Sequence, residues 1–138
     1  MHRRENGREY KVFIGGGVEE GESVEAAVVR EAYEETSLRV KLLRRVYCCH
    51  LDDGTRHDFY LCEAPEGEPK LAAESPELLE DNAAVNFYEP GWVELSELPK
   101  MRLYPLEVRD WVIEDAPKGW AGVSREEFFE RAKLRQEI

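Results

Sequence analysis

The run Gly16–Leu38 constrains this chain more than any other stretch. It reads Gly16, five residues, Glu22, seven residues, then Arg30-Glu31-Ala32-Tyr33-Glu34-Glu35-Thr36-Ser37-Leu38. From Val24 to Thr36 there is neither Gly nor Pro, and Ala, Glu, Arg and Val dominate, so the stretch predicts a helix. Ser23 precedes it as an N-cap, its hydroxyl placed to accept a free N–H of the first turn. At about 100° per residue, Glu31, Glu34 and Glu35 share an arc of roughly 100°. Three like charges on one side repel one another. One reading is an ordinary acidic surface stripe; the other is a ligand set for a divalent cation.

The flanks favour the cation. Gly15, Gly16 and Gly17 allow the backbone to approach a ligand closely. Arg30 stands beside the carboxylates and can pair with Glu22, fixing its orientation. Hard cations such as Mg²⁺ take oxygen ligands and keep waters and substrate phosphates in their shell. A bound metal lowers the pKa of a water and offsets charge on a leaving phosphate, and a nearby glutamate takes the proton.

The spacing resembles the Nudix box, G-x5-E-x7-R-E-U-x-E-E-x-G-U, where U is a bulky aliphatic residue. The resemblance extends to Glu9–Ile14, similar to the strand that enters the box. It also takes in Gly91–Pro99, similar to a later strand ending in a Trp-Val…Glu-Leu-Pro phrase. It covers about residues 3 to 115. It implies an α/β/α sandwich with a mixed β-sheet, and Mg²⁺- or Mn²⁺-dependent hydrolysis of a nucleoside diphosphate linked to another group. It assigns metal and base roles to Glu31, Glu34 and Glu35, an orienting role to Arg30, and support of the arginine or the metal to Glu22, with one of the three metal-binding glutamates or Glu22 activating the water. The carbonyl of Gly16 joins the metal shell. A further ligand outside the box is expected at Glu89, with Glu77 and Glu80 as rivals.

Three departures from the family pattern matter. Ser37 replaces the glycine that closes the helix, a position expected to need φ > 0. Ile14 replaces a proline before the glycines. Only 13 residues precede Ile14, so an N-terminal strand of the sheet is expected to be missing. Either the natural chain starts upstream of Met1, the favoured reading, or an element of a second chain fills the gap in a homodimer.

At 138 residues, with 42% apolar residues, the chain suits one domain spanning residues 1–138. Its net charge of −11 argues against a nucleic-acid polymer or an anionic membrane as partner. A small nucleotide remains compatible, since the metal supplies positive charge. Cys48, Cys49 and Cys62 lack metal-site spacing and suit reduced thiols in a cytoplasmic protein.

Downstream, Leu38–Leu51 and Thr55–Glu63 predict strands joined at Asp53-Gly54. His50 and His57 flank that hairpin, as rim polar positions or as contacts to a base or phosphate. Ala64–Asn82 reads as a loop with a helical turn at Pro76–Leu79. Phe87 and Tyr88 stack on a nucleobase or anchor a loop, and Trp92 reads as structural. Pro105–Asp115 predicts a second helix. Ser124 and Glu127 form a capping box for a final helix to about Gln136.

Two rivals to the enzyme stand. One is a catalytically silent Nudix-fold module that binds nucleotide, although families of that kind usually lose box glutamates. The other is a protein–protein scaffold built on the C-terminal helix. No motif identifies the nucleoside or the leaving group.

Overall fold

A two-residue turn at Asn6-Gly7 starts the fold. In the computed structural model, which describes residues 1–71 and 87–130, Asn6 and Gly7 take φ values of 49° and 78°. Paired positive φ values match the twist of antiparallel strands, and Asn-Gly adopts them readily. The turn joins β1 (His2–Glu5) to β2 (Arg8–Val12), which pair antiparallel. The strand expected over Glu9–Ile14 is thus the second arm of a hairpin, for which the Asn6-Gly7 dipeptide is the local signal.

Outside β1 lies β5 (Phe87–Glu89), antiparallel; outside β2 lies β6 (Leu103–Tyr104), parallel. The first sheet therefore runs β5-β1-β2-β6. Phe87 and Tyr88 are anchors in it. The ring of Phe87 meets His2 edge-on at 5.7 Å, and the hydroxyl of Tyr88 donates to Glu5 at 2.6 Å.

A second sheet runs β4-β3-β7. β3 (Leu42–Leu51) and β4 (Arg56–Cys62) form the expected hairpin, where the Thr55 N–H donates to Asp53 and Gly54 takes φ 86°. β7 (Arg125–Phe129) lies parallel to β3. This corrects the predicted final helix over 124–136. The capping-box spacing is real, but the free edge of β3 offers a row of unpaired N–H and C=O groups that a strand satisfies and a helix does not. Adjacent aromatics then serve opposite faces: Phe129 packs against Trp111, and Phe128 stacks on His50. Residues 131–136 of that expected helix lie outside the described residues, as does the turn at Pro76–Leu79.

Gly91–Glu94 also departs from expectation. It forms no strand, and a 3₁₀ turn over Leu95–Lys100 follows. Trp92 is 59% exposed and donates from its indole to the Gly67 carbonyl at 3.2 Å.

Helix α1 (Val24–Thr36) begins as predicted, with the Ser23 hydroxyl accepting the Ala26 N–H at 3.1 Å. Ser37 closes it with φ 61°, and its N–H reaches the Tyr33 carbonyl at 2.8 Å. The Ser37 hydroxyl donates to the Lys70 carbonyl at 2.8 Å. The serine thus takes the left-handed conformation a glycine would take, and its hydroxyl supplies a contact a glycine lacks.

Helix α2 (Leu106–Asp115) lays Val108 and Trp111 on Val46, Tyr47 and Cys49 of β3, which makes the core. Inside it sits a polar knot. Tyr47 donates to Asp115 at 2.7 Å, the Trp120 indole donates to the Tyr47 hydroxyl at 2.9 Å, and Arg125 grips Asp115 through Nε and Nη2 at 3.1 and 3.0 Å. The Arg125 hydrogen bonds hold the Asp115 carboxyl below the ordinary aspartate range. Burial, and then the bond to Asp115, push the Tyr47 phenol up.

Ser37→Ala keeps the left-handed strain and loses the Lys70 bond, so urea unfolding should show a loss of about 1 kcal/mol. Ser37→Gly loses both, so its stability should stay within about 0.5 kcal/mol of the parent. Asp115→Ala strands a guanidinium and a phenol and should remove about 3 kcal/mol by the same measurement. Because the folded pKa of Asp115 is depressed, its contribution is present above about pH 4 and fades as pH falls through the folded value. That acid-limb loss should be absent from Asp115→Asn.

Candidate active site

The loop from β2 to α1 and the C-terminal half of α1 meet at Arg30. The guanidinium binds Glu22 as a fork, Nε to Oε2 at 2.8 Å and Nη2 to Oε1 at 3.0 Å. Nη1 donates to Glu31 at 2.9 Å and to Glu34 at 3.2 Å. Nη2 also donates to the Gly17 carbonyl at 2.9 Å. One side chain therefore ties together three carboxylates and the glycine loop. The Glu22 bond, the largest influence, raises the Arg30 pKa further and keeps it charged. In turn Arg30, then the Glu19 N–H, hold the Glu22 carboxyl below the usual glutamate range.

The loop is shaped for this. Glu22 N–H donates to the Glu19 carbonyl at 3.1 Å, and Gly21 between them has φ 78°. A turn this tight with a positive φ is least strained with glycine. At Gly16 the requirement is space: a Cβ built there collides with the Glu31 carboxylate. The Gly16 backbone and the Glu31 carboxylate are thus in contact.

Glu35 is the buried member, 2% exposed. A carboxylate so enclosed needs hydrogen-bond donors. Gly15 N–H is one, at 3.3 Å from Oε2. The bonds from Gly15 and to Gly17 were not legible in the sequence, because backbone partners leave no residue-type signal. The Arg30–Glu34 pair was legible as an i,i+4 spacing.

Glu89 ends β5, exposed, on the wall of a cleft of about 160 Å³ that it shares with Met1, Lys11 and Trp92. Glu77 and Glu80 lie outside the described residues.

The donor set fits a hard divalent cation. Glu31, Glu34, Glu35 and the Gly16 carbonyl offer oxygen only, and the Gly16 cradle is filled by a carboxylate rather than a methyl group. Among the described residues the box does not gather three carboxylate oxygens within 4.8 Å of one another. Arg30 Nη1 binds both Glu31 and Glu34.

Gly16→Ala tests the cradle. The obstructed atoms are the tip of a flexible side chain, so thermal unfolding should change little. The displaced Glu31 carboxylate should weaken Mn²⁺ binding about tenfold or more by electron paramagnetic resonance titration.

The family model of the NUDIX domain matches residues 1–112. A solved structure described as MutT from Aliivibrio salmonicida and Vibrio cholerae is 30% identical. The match covers 75% of this chain and 74% of that one, with a TM-score of 0.49. A comparison with curated proteins returned no match.

Proposed function

This chain belongs to the Nudix family, and we propose that it is a Mg²⁺- or Mn²⁺-dependent hydrolase of a nucleoside diphosphate linked to another group. The observation that carries this reading is the Arg30 fork. It ties Glu22, Glu31 and Glu34 to a glycine loop whose backbone touches the Glu31 carboxylate.

Glu31, Glu34, Glu35 and the Gly16 carbonyl hold the metal, with Glu89 the candidate ligand outside the box. When bound, the metal lowers the pKa of a water and offsets charge on the departing phosphate. Glu22 is spent on Arg30 through both oxygens, so its role is positioning. Arg30 aims Glu31 and Glu34. Glu34, whose side chain is 25% exposed against 13% for Glu31, faces solvent most openly of these two. We assign Glu34 the proton of the attacking water. Water adds to phosphorus, the bridging oxygen leaves, and the products are a nucleoside monophosphate and a second phosphorylated compound. Cys48, Cys49 and Cys62 are free thiols, which suits a reducing, cytoplasmic setting. No described helix is long and apolar enough to cross a membrane.

The test is product release from nucleoside triphosphates, oxidised triphosphates, ADP-ribose and dinucleoside polyphosphates, with and without Mg²⁺. Metal-dependent release should fall about 100-fold or more in Glu34→Gln. Undiminished hydrolysis in that variant sinks the assignment. Tight nucleotide binding without product from any of them makes the protein a silent binding module instead.

A further inference from the structure

The second sheet carries a side-chain cluster that the box does not use. Cys48 and His50 are two residues apart on β3, so they project from the same face. In the parallel ladder Glu126 of β7 stands opposite Cys48. Cys48 Sγ, His50 Nε2 and Glu126 Oε1 all lie within 4.8 Å of one another. His50 Nε2 is 3.5 Å from Cys48 Sγ and 2.5 Å from Glu126 Oε1.

We propose that Cys48, His50 and Glu126 form a second metal site, separate from the box and selective for a borderline divalent cation, Zn²⁺.

The donor chemistry is the first argument. One sulfur, one imidazole nitrogen and one carboxylate oxygen suit Zn²⁺, whereas Mg²⁺ takes oxygen alone. Distance is the second. Tetrahedral Zn²⁺, with Zn–S about 2.3 Å and Zn–N about 2.0 Å, separates sulfur from nitrogen by about 3.5 Å. The Cys48–His50 pair already has that separation, 3.5 Å. Nitrogen and oxygen ligands of the same ion stand about 3.4 Å apart. Glu126 must therefore withdraw by about 0.9 Å from its 2.5 Å contact with His50, and a side chain 57% exposed has room to do so.

The surroundings are the third. Phe128 stacks on His50 at 4.6 Å with planes 18° apart, which fixes the imidazole. Asp58 of β4 stands opposite Cys48 on the other side of β3. Arg45 and Arg56 occupy the Asp58 carboxylate at 3.0–3.1 Å, so Asp58 serves as an outer partner rather than a ligand. A thiolate and a carboxylate balance the ion's double charge. Three protein ligands leave a fourth position open to water or a small anion.

Co²⁺ is the probe, added to the full chain with Mg²⁺ in excess to occupy the box. A near-ultraviolet thiolate-to-cobalt charge-transfer band should saturate at one ion per chain, and Zn²⁺ should displace it. Cys48→Ser should abolish the band, Glu126→Gln and His50→Gln should weaken Co²⁺ binding about tenfold or more, and Glu34→Gln should leave it unchanged. Absence of the band, or its persistence in Cys48→Ser, overturns the proposal. If Cys48→Ser fails to fold, the two milder variants decide: unaltered Co²⁺ affinity in both overturns it equally.

Discussion

Arg30 is the interaction on which the site depends. Three acidic side chains and a glycine loop converge on Arg30, and without its charge the carboxylates would separate. Arginine suits this role because its planar fork serves several acceptors at once from one rigid group. The fork to Glu22 fixes the loop, and the remaining donors fix α1 residues one position and one turn beyond Arg30. Attraction to Arg30 offsets the charge repulsion among the carboxylates and holds loop and helix together.

The second organising element is the knot of Tyr47, Asp115, Trp120 and Arg125. Each residue comes from a different part of the chain: β3, the end of α2, the turn after it, and β7. Such a network is directional where apolar packing is not, so it specifies how α2 and β7 sit on β3. It also explains why Arg125–Phe129 becomes a strand. Arg125 must reach Asp115 while its backbone pairs beside Tyr47, and an extended chain satisfies both. The Cys48–His50–Glu126 cluster is a by-product of the same register, since Tyr47 opposite Arg125 places Cys48 opposite Glu126.

Much of the box was legible. Ser23 caps α1 as its position promised, Ser37 takes the left-handed conformation foreseen for it, and Glu22 pairs with Arg30. The β3–β4 hairpin was legible from Asp53-Gly54. Local signals of this kind depend on neighbours a few residues apart. The Asn6-Gly7 hairpin carries an equally local signal. The failure at 124–129 is different in kind. A capping box competes there with a sheet edge contributed by residues about 80 positions away, and no short-range pattern records that competition.

What the sequence alone determined is the helix α1, its caps, and the carboxylate set beside Arg30, because these follow from periodicity, backbone preference and charge within one run. What only the tertiary structure decided is how far apart the oxygens of that set stand, which backbone groups serve Glu35 and Arg30, and that the last segment joins β3. Those outcomes depend on through-space contacts between distant segments. A separation of a few ångströms between charges is set by packing, not by the order of residues along the chain.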